Sequence, residues 1–346
     1  MQGKVMEFKG VEICCPRCQG DLEWSDGTQE QFACKDCASV YPVICGIPDL
    51  RIFDDPYISL QDDRDKGRRL AAMADSYDFP GLIDHYYAST KVVTPQQAAL
   101  YKRGLLAAGA RAAAALEAWE EKANRAPPGR LLEVGCGTGP LLVSASERGY
   151  QCVGVDIAFR WLIVARKRLE AAGIDVPLIC ACAEALPFHA DSYDRVVLDS
   201  VIEHVRDQDR VLSQCSRALV PDGTVYLTTP NRFSIGPDPH TGFLAGSLYP
   251  RALTAKLVKR QGGIPPERQL LSVFSLRKKL KQAGLSGIRM FLPDVPEAQR
   301  RHFGPLLRFA IEIYRFCIHL PVLRELLFLV GPVICSVSYQ AANSDE

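Results

Sequence analysis

The sequence predicts an α/β chain with a doubly wound sheet, a helical cap and a small cysteine-bearing leader. Three observations predict it. From Arg130 onward short apolar strands alternate with helices, the pattern of a parallel sheet covered on both faces. A glycine-rich turn, Gly135-Cys-Gly-Thr-Gly139, falls where the first of those strands should pass into a helix. Ahead of both, two Cys-x-x-Cys pairs stand with fifteen residues between them. Together these describe a Rossmann-like sheet behind a zinc ribbon.

Bulk properties bound the function. At 346 residues the chain exceeds one typical domain, so one large domain with small attachments is expected. A hydrophobic fraction of 47% is too high for a disordered protein. Lys and Arg number 41 against 40 Asp and Glu, so no whole-molecule charge draws the chain to nucleic acid. Met1 to Cys15 lacks the apolar run of a signal peptide, which points to a cytoplasmic, reducing setting. There the thirteen cysteines read as thiols and metal ligands rather than disulfides. No stretch approaches the roughly 20 apolar residues of a membrane span. The longest, Leu326 to Cys335, is interrupted by Gly331-Pro332.

Residues 1–56 form the predicted ribbon. Cys15, Cys18, Cys34 and Cys37 have the spacing of a structural zinc site. Each pair turns two thiolates onto one ion, and two pairs close a tetrahedron. So short a segment has little core, and bound metal supplies the folding energy it lacks. Cys14 and Cys45 lie outside the pattern. Residues 57–129 read as a helical cap and linker. Pro95 opens an alanine-rich helix reaching Ala123, and Ala126-Pro-Pro-Gly129 marks a boundary. Tyr77, Tyr86 and Tyr87 of the cap read either as an aromatic wall for a substrate or as packing residues.

Residues 130–346 form the α/β domain, with strands expected at Arg130–Val134, Cys152–Asp156, Leu178–Ala181, Arg195–Leu198 and Thr224–Thr228. Gly135, Gly137 and Gly139 let main chain approach a ligand, and the helix that follows offers N–H donors to an anion. Dinucleotide enzymes use such a turn too. Glu133 separates the two cases. A carboxylate beneath the turn opposes a pyrophosphate but suits a ligand bearing an ammonium and a sulfonium. Asp156 ends the second strand, where a carboxylate can accept hydrogen bonds from both ribose hydroxyls.

Four motifs now stand in order: Glu133-Val-Gly-Cys-Gly-Thr-Gly139, Val155-Asp156, Ala183-Glu-Ala-Leu-Pro-Phe188 and Leu198-Asp-Ser-Val-Ile-Glu-His-Val205. Over roughly residues 75–340 the chain resembles class I S-adenosylmethionine-dependent methyltransferases, in the small-molecule branch that includes the ubiquinone and menaquinone methyltransferases. The resemblance implies that the glycine turn and Glu133 hold the methionine portion, Asp156 the ribose, and Cys182, Ala183 and Glu184 the adenine. It adds Asp199 to the cofactor pocket, and it implies that Val333–Tyr339 is an antiparallel last strand. One position departs from the pattern. The family often has Gly-Asp-Ala where this chain has Ala181-Cys182-Ala183, and a thiol is a weak acceptor. Adenine recognition is therefore expected to rest on backbone around Ala183. Glu184 has a second reading, as a helix-start acid.

Methyl transfer is a displacement at a carbon activated by the sulfonium. The protein must align the nucleophile, exclude water and, for a hydroxyl, remove a proton. His204 and His240, in the loops after the fourth and fifth strands, are the candidate bases. His204 also reads as a helix-start residue bonded into the fold. Asn231 and Arg232 are candidates to orient a substrate. Some related O-methyltransferases bind a divalent metal through Glu-x-x-Glu-His; here Ser200 takes the first place, so no catalytic metal is expected. The expected acceptor is small or lipid-linked and methylated at oxygen. The ribbon, with Tyr41-Pro-Val-Ile-Cys-Gly-Ile-Pro-Asp49, resembles small zinc proteins that activate tRNA, rRNA and release-factor methyltransferases. That implies a ribbon docked on its own catalytic domain. It also keeps two alternatives open: methyl transfer to RNA or a translation protein, and a non-catalytic recruitment module.

Between Arg251 and Arg301 stand twelve Lys or Arg against three Asp or Glu, a stretch suited to anionic membrane, phosphate or plain solvent. Stacking aromatics are scarce there, which weakens an RNA role. Residues 296–331 read as a helical insertion. Leu306, Phe309, Ala310, Ile313, Cys317 and Leu320 recur at helical spacing opposite Arg308, Glu312, Arg315 and His319. The apolar stripe is expected to be core or lid. A basic patch beside an apolar helix also suits peripheral membrane contact.

Overall fold

The structure, a computed structural model, describes residues 6–25, 29–90, 93, 95–123, 128–236, 238, 241–260, 265, 267–295, 297–300 and 304–341. At the N-terminal end, β1 (Met6–Phe8) and β2 (Val11–Ile13) pair as a hairpin. β3 (Leu22–Ser25), β4 (Gln31–Cys34), β5 (Val40–Ile44) and β6 (Ile47–Pro48) follow as an antiparallel sheet in that order. Alternation sets its inner face: Phe32 and Cys34 of β4 are buried while Gln31 and Ala33 are half-buried. This unit does not stand alone. Ile13, Leu22, Phe32 and Leu50 share one buried cluster with Leu186 and Phe188 of the large domain, and Cys14 N–H donates to the Pro187 carbonyl at 3.0 Å.

Four helices follow: α1 (Leu60–Ala74), α2 (Phe79–Ala88), α3 (Pro95–Leu106) and α4 (Ala108–Lys122). Ser59 caps α1 and Asp78 caps α2, each side chain accepting a first-turn N–H. The alanine-rich run expected as one helix is divided at Ala107 into α3 and α4. Leu116 and Trp119 of α4 are buried, and Trp119 stacks on Tyr150 with ring centroids 6.0 Å apart.

The large domain runs β7 (Arg130–Val134), α5 (Pro140–Glu147), β8 (Gln151–Asp156), α6 (Phe159–Ala171), β9 (Leu178–Cys180), β10 (Tyr193–Asp199), α7 (Gln208–Ala218), β11 (Leu219–Pro230), α8 (Arg251–Arg260), α9 (Val273–Gln282), β12 (Leu285–Phe291), α10 (Glu297–Arg300), α11 (Pro305–Ile318), α12 (Pro321–Val330) and β13 (Val333–Gln340). Seven strands form one sheet in the order β12-β13-β11-β10-β7-β8-β9. β7 to β11 are parallel neighbours, and β13 lies antiparallel between β11 and β12. The expected strands are all present, and the last is reversed as the resemblance implied. β12 was not foreseen. Its register slips between Ser286 and Arg289, and polar residues interrupt it, as suits an outer strand.

Two features position the site. Strand order reverses between β7 and β10, so their carboxyl ends open a crevice, the usual ligand position in such sheets. At the opposite edge, chain leaving β6 runs beside β9, with Leu50 N–H donating to the Cys180 carbonyl at 2.7 Å. The leader thus covers the exposed edge of the large sheet.

The C-terminal helices correct one expectation: their apolar stripe is not core. Leu306, Phe309 and Val322 are 83%, 66% and 82% exposed, α11 buries Ile311 alone, and α12 buries nothing. Two members of the charged stripe and Tyr314 make the contacts that hold α11. Arg315 pairs with Asp294 at 2.8 Å, Glu312 pairs with Arg300, and Tyr314 donates to the Pro293 carbonyl at 2.7 Å. These partly exposed polar contacts tether the helix to the segment before it, while its hydrophobic side faces out.

Candidate functional site

The crevice is lined by acids at strand ends and by the glycine turn. Glu133 stands in β7, next to its carboxyl end; Asp156 ends β8 and Asp199 ends β10. Main chain between β7 and α5 passes through Gly135, Gly137 and Gly139, all at positive φ. At Gly137 (φ +52°) an added Cβ would meet no atom within 4 Å, so the turn faces open space. At Gly135 (φ +74°) the Cγ2 of Val201 lies 2.3 Å from such a Cβ, so Val201 from the next loop rests on this part of the turn. Arg168 of α6 braces the turn from behind, its Nε donating to the Thr138 carbonyl at 2.8 Å.

Asp156 organises the crevice. One carboxylate oxygen accepts the Gly137 N–H and the other the Ala158 N–H, both at 2.7 Å. Each oxygen keeps a further lone pair for a ligand hydroxyl. Burial pushes the carboxyl up to about 6. Glu133 is raised well above the usual carboxylate range, first by burial and then by the charges of Asp199 and Asp156. Its Oε2 is buried and makes no hydrogen bond. Asp199 is tied by the Thr228 hydroxyl. Three acids around an open turn, one with an orphaned oxygen, fit a ligand that carries positive charge and a diol.

The residues expected around adenine lie just beyond the end of β9. The Cys182 thiol is fully buried and directed at the Phe53 carbonyl, 3.7 Å away. Ala183 is buried beside it. Glu184 accepts the Arg206 N–H at 2.8 Å and thereby anchors the segment leading into α7.

His204 lies in the loop after β10. Its Nδ1 is 3.2 Å from the Glu267 carbonyl, its Nε2 is 3.9 Å from Glu203, and burial lowers its pKa. His240 lies outside the described residues. Sequence reasoning missed Glu203. Its side chain is fully buried, accepts the Thr229 hydroxyl at 3.0 Å, and is pushed by burial up to about 7. A glutamate before a histidine gave no sign of that burial. Glu203 and His204 border a cleft of about 1020 Å³, closed on its other sides by Arg232, α8 and residues around Arg268, with Tyr57 at the rim.

Asn231 and the tyrosines are held in the fold. Asn231 donates to the Leu329 carbonyl at 3.0 Å and accepts the Phe233 N–H. Tyr86 packs against Trp161 at 4.5 Å and Tyr87 against Tyr86 at 5.0 Å, while Tyr77 lies 5.2 Å from His85.

In the leader, the sulfurs of Cys15, Cys18, Cys34 and Cys37 all lie within 4.8 Å of one another. Cys15 and Cys37 are 3.6 Å apart, and Cys18 and Cys34 are 3.4 Å apart. Tetrahedral zinc with bonds of about 2.3 Å spaces its sulfurs at about 3.8 Å. The donor set fits that ion.

Residues 132–227 match the family model described as a methyltransferase domain. Among curated relatives, the chain is 36% identical over 104 residues to the ubiquinone biosynthesis O-methyltransferase of Salmonella paratyphi A, covering 30% of this chain and 43% of that protein. To the protein of that name from Dinoroseobacter shibae it is 32% identical over 159 residues, covering 46% and 60%. The chain thus spans about half the length of the curated relatives it matches. Among solved structures, Haemonchus contortus phosphoethanolamine N-methyltransferase 2 in complex with S-adenosyl-L-methionine aligns at a TM-score of 0.43 and 20% identity, over 65% of this chain and 51% of that one.

Proposed function

We propose, on the premise that residues 132–227 form a class I S-adenosylmethionine-dependent methyltransferase domain, that the whole chain methylates a hydroxyl oxygen of a small or lipid-linked acceptor. The observation that carries the reading is the open turn at Gly137 ringed by Glu133, Asp156 and Asp199, with the Glu133 Oε2 lacking any partner. The matched family and the relatives' name, an O-methyltransferase of ubiquinone biosynthesis, support a quinone-type acceptor.

Glu133, Gly135, Gly137, Gly139 and Asp199 would surround the methionine portion, Asp156 the ribose, and backbone near Ala183, with Cys182 and Glu184 beside it, the adenine. When bound, S-adenosylmethionine supplies a methyl carbon already activated by its sulfonium. The chain's own task is then to align the acceptor oxygen, exclude water and take the hydroxyl proton. His204, whose pKa burial lowers, would take that proton; Glu203 beside it, pushed by burial up to about 7, is a second candidate base. His240 remains a candidate from the sequence.

The cysteine cluster is read as a structural zinc site with four thiolate ligands. We divide the chain into a zinc ribbon (1–56), a helical cap (57–129) and the methyltransferase domain (130–346), with a helical insertion around 296–331. The basic stretch and the outward apolar faces of α11 and α12 support peripheral membrane contact, which would bring a lipid-linked acceptor to the cleft. Among the described residues no helix is long and apolar enough to cross a membrane.

Calorimetric titration with S-adenosylhomocysteine, followed by radiolabelled methyl transfer to cell extract separated into lipid, RNA and protein, tests the proposal. Saturable binding with label in the lipid or small-molecule fraction is expected. Absence of cofactor binding, or label confined to RNA, overturns it.

A further inference from the structure

We propose that the cleft beside Glu203 and His204 holds an anionic group of the acceptor, a phosphate or carboxylate, through Arg206, Arg232, Arg251 and Lys259. The inference rests on the methyltransferase reading above and names the substrate class of that same site.

The lining of the cleft is lopsided in charge. Its cations are Arg206, Arg232, Arg251, Lys259 and Arg268, and its acids are Glu203 and Glu267. Arg268 is already neutralised: both its terminal nitrogens donate to Asp238, which also accepts the Ser247 hydroxyl at 3.0 Å. That buried pair makes a fixed floor. The other four cations differ. Arg206 lies over the Phe53 ring at 4.3 Å and donates to the Asp54 carbonyl, and Arg251 donates to the Arg268 carbonyl at 3.3 Å. Among the described residues no carboxylate forms an ion pair with Arg206, Arg232, Arg251 or Lys259. Elsewhere on the surface, cations such as Arg148, Lys279 and Arg315 do have acidic partners.

Gathering four unpaired cations around one concavity focuses positive potential into it, and an anionic ligand relieves the repulsion among them. Guanidinium forks match the paired oxygens of phosphate and carboxylate. Burial pushes Glu203 up to about 7, so the cleft is more positive than full ionisation of its two acids would make it. The volume, about 1020 Å³, exceeds what an inorganic anion fills and suits a whole acceptor molecule. With Glu203 and His204 at one side, a hydroxyl and an anionic group of one molecule can be held together: the hydroxyl at the acids and imidazole, the anion among the arginines.

Calorimetry on the full chain with octyl phosphate, octanoate, neutral octanol and inorganic phosphate tests this, beside an S-adenosylhomocysteine titration. Octyl phosphate or octanoate should bind at least about tenfold tighter than octanol, and Arg232→Ala/Arg251→Ala should abolish that preference while leaving S-adenosylhomocysteine affinity intact. Both positions are exposed, and Lys259→Glu, on an exposed helix position, repeats the test without touching a buried bond. Inorganic phosphate equal to octyl phosphate would support a small phosphorylated acceptor; a clear preference for octyl phosphate would support a lipid head group. Equal binding of octanol and octyl phosphate, or an unchanged preference in both variants, overturns the inference. Failure of S-adenosylhomocysteine to bind the wild-type chain overturns the proposed function instead, and is read in a separate titration.

Discussion

At the scale of single residues, burial sets the chemistry of the crevice and with it the pH response. Asp156 and Glu203 have folded pKa values near 6 and 7, above the ordinary 3.8 and 4.5 of an unfolded chain, and Glu133 is also raised well above its ordinary value. The folded state therefore holds more protons than the unfolded state between those values. The stability linked to these acids is complete below about pH 4 and is lost as pH rises through 6 to 7. For Asp156 alone that amounts to about 3 kcal/mol. If Asp156 holds the ribose as proposed, cofactor affinity runs the other way, because the ionised carboxylate is the better acceptor. We expect S-adenosylhomocysteine binding to strengthen by up to about tenfold per pH unit between pH 5 and 6 and then level off. Asp156→Asn should weaken binding and flatten that dependence, read by titration at pH 5, 6 and 7.5. If Glu203 takes the acceptor proton, Glu203→Gln should lower kcat about 10²- to 10⁴-fold and remove an acid limb near pH 7 from the rate profile. An unaltered limb would leave His204 as the base. Glu133 and Asp156 were legible in the sequence because strand-end acids beside a glycine turn are a local pattern. Glu203 was not, because its environment comes from Thr229 on the neighbouring strand and from Gln269, whose N–H reaches the Glu203 carbonyl at 2.7 Å.

At the scale of elements, α11 and α12 are amphipathic in the ordinary way and docked in an unusual one. Periodicity reported the stripe correctly but could not say what holds the helix in place. That depended on Asp294, Arg300 and Pro293, which lie before α11 and supply the polar partners. The same limit hid β12, whose burial comes from pairing with β13 rather than from its own alternation. The α/β strands were legible because buried parallel strands are short continuous apolar runs, a signal carried within the strand. An outward apolar stripe beside basic residues should partition into lipid. Each buried side chain of this size contributes about 1.5–3 kcal/mol. The triple change Leu306→Gln, Phe309→Gln and Phe316→Gln should therefore cut sedimentation with phosphatidylglycerol vesicles at least tenfold without lowering the melting temperature. Equal sedimentation of the variant would remove the membrane role from these helices.

At the scale of the whole molecule, the leader and the cofactor crevice are joined by a buried ionic chain. Arg51, just beyond β6, donates to Asp49 at 2.7 Å, to Asp63 of α1 at 2.8 Å and to the Ile157 carbonyl at 2.9 Å. Asp63 in turn accepts the N–H of Phe159, the first residue of α6, at 2.7 Å, and pairs with Arg160. Phe159 is three residues from Asp156, so the segment leaving the leader fixes the loop that follows this acid. Both carboxylates and the Arg51 side chain are fully buried. Removing one partner leaves uncompensated charge, at a cost of about 3–5 kcal/mol. If Cys15, Cys18, Cys34 and Cys37 hold zinc, the leader's fold would draw on that metal, because so short a segment has little core of its own. Stripping metal with a chelator should therefore lower the melting temperature and also weaken S-adenosylhomocysteine binding, although the thiolates lie outside the crevice. Cys18→Ser/Cys37→Ser should reproduce both effects, and Arg51→Met should weaken cofactor binding while metal analysis still finds one zinc per chain. That last variant separates the coupling from the metal: retained zinc with undiminished affinity would show that the leader is a passenger on the sheet edge.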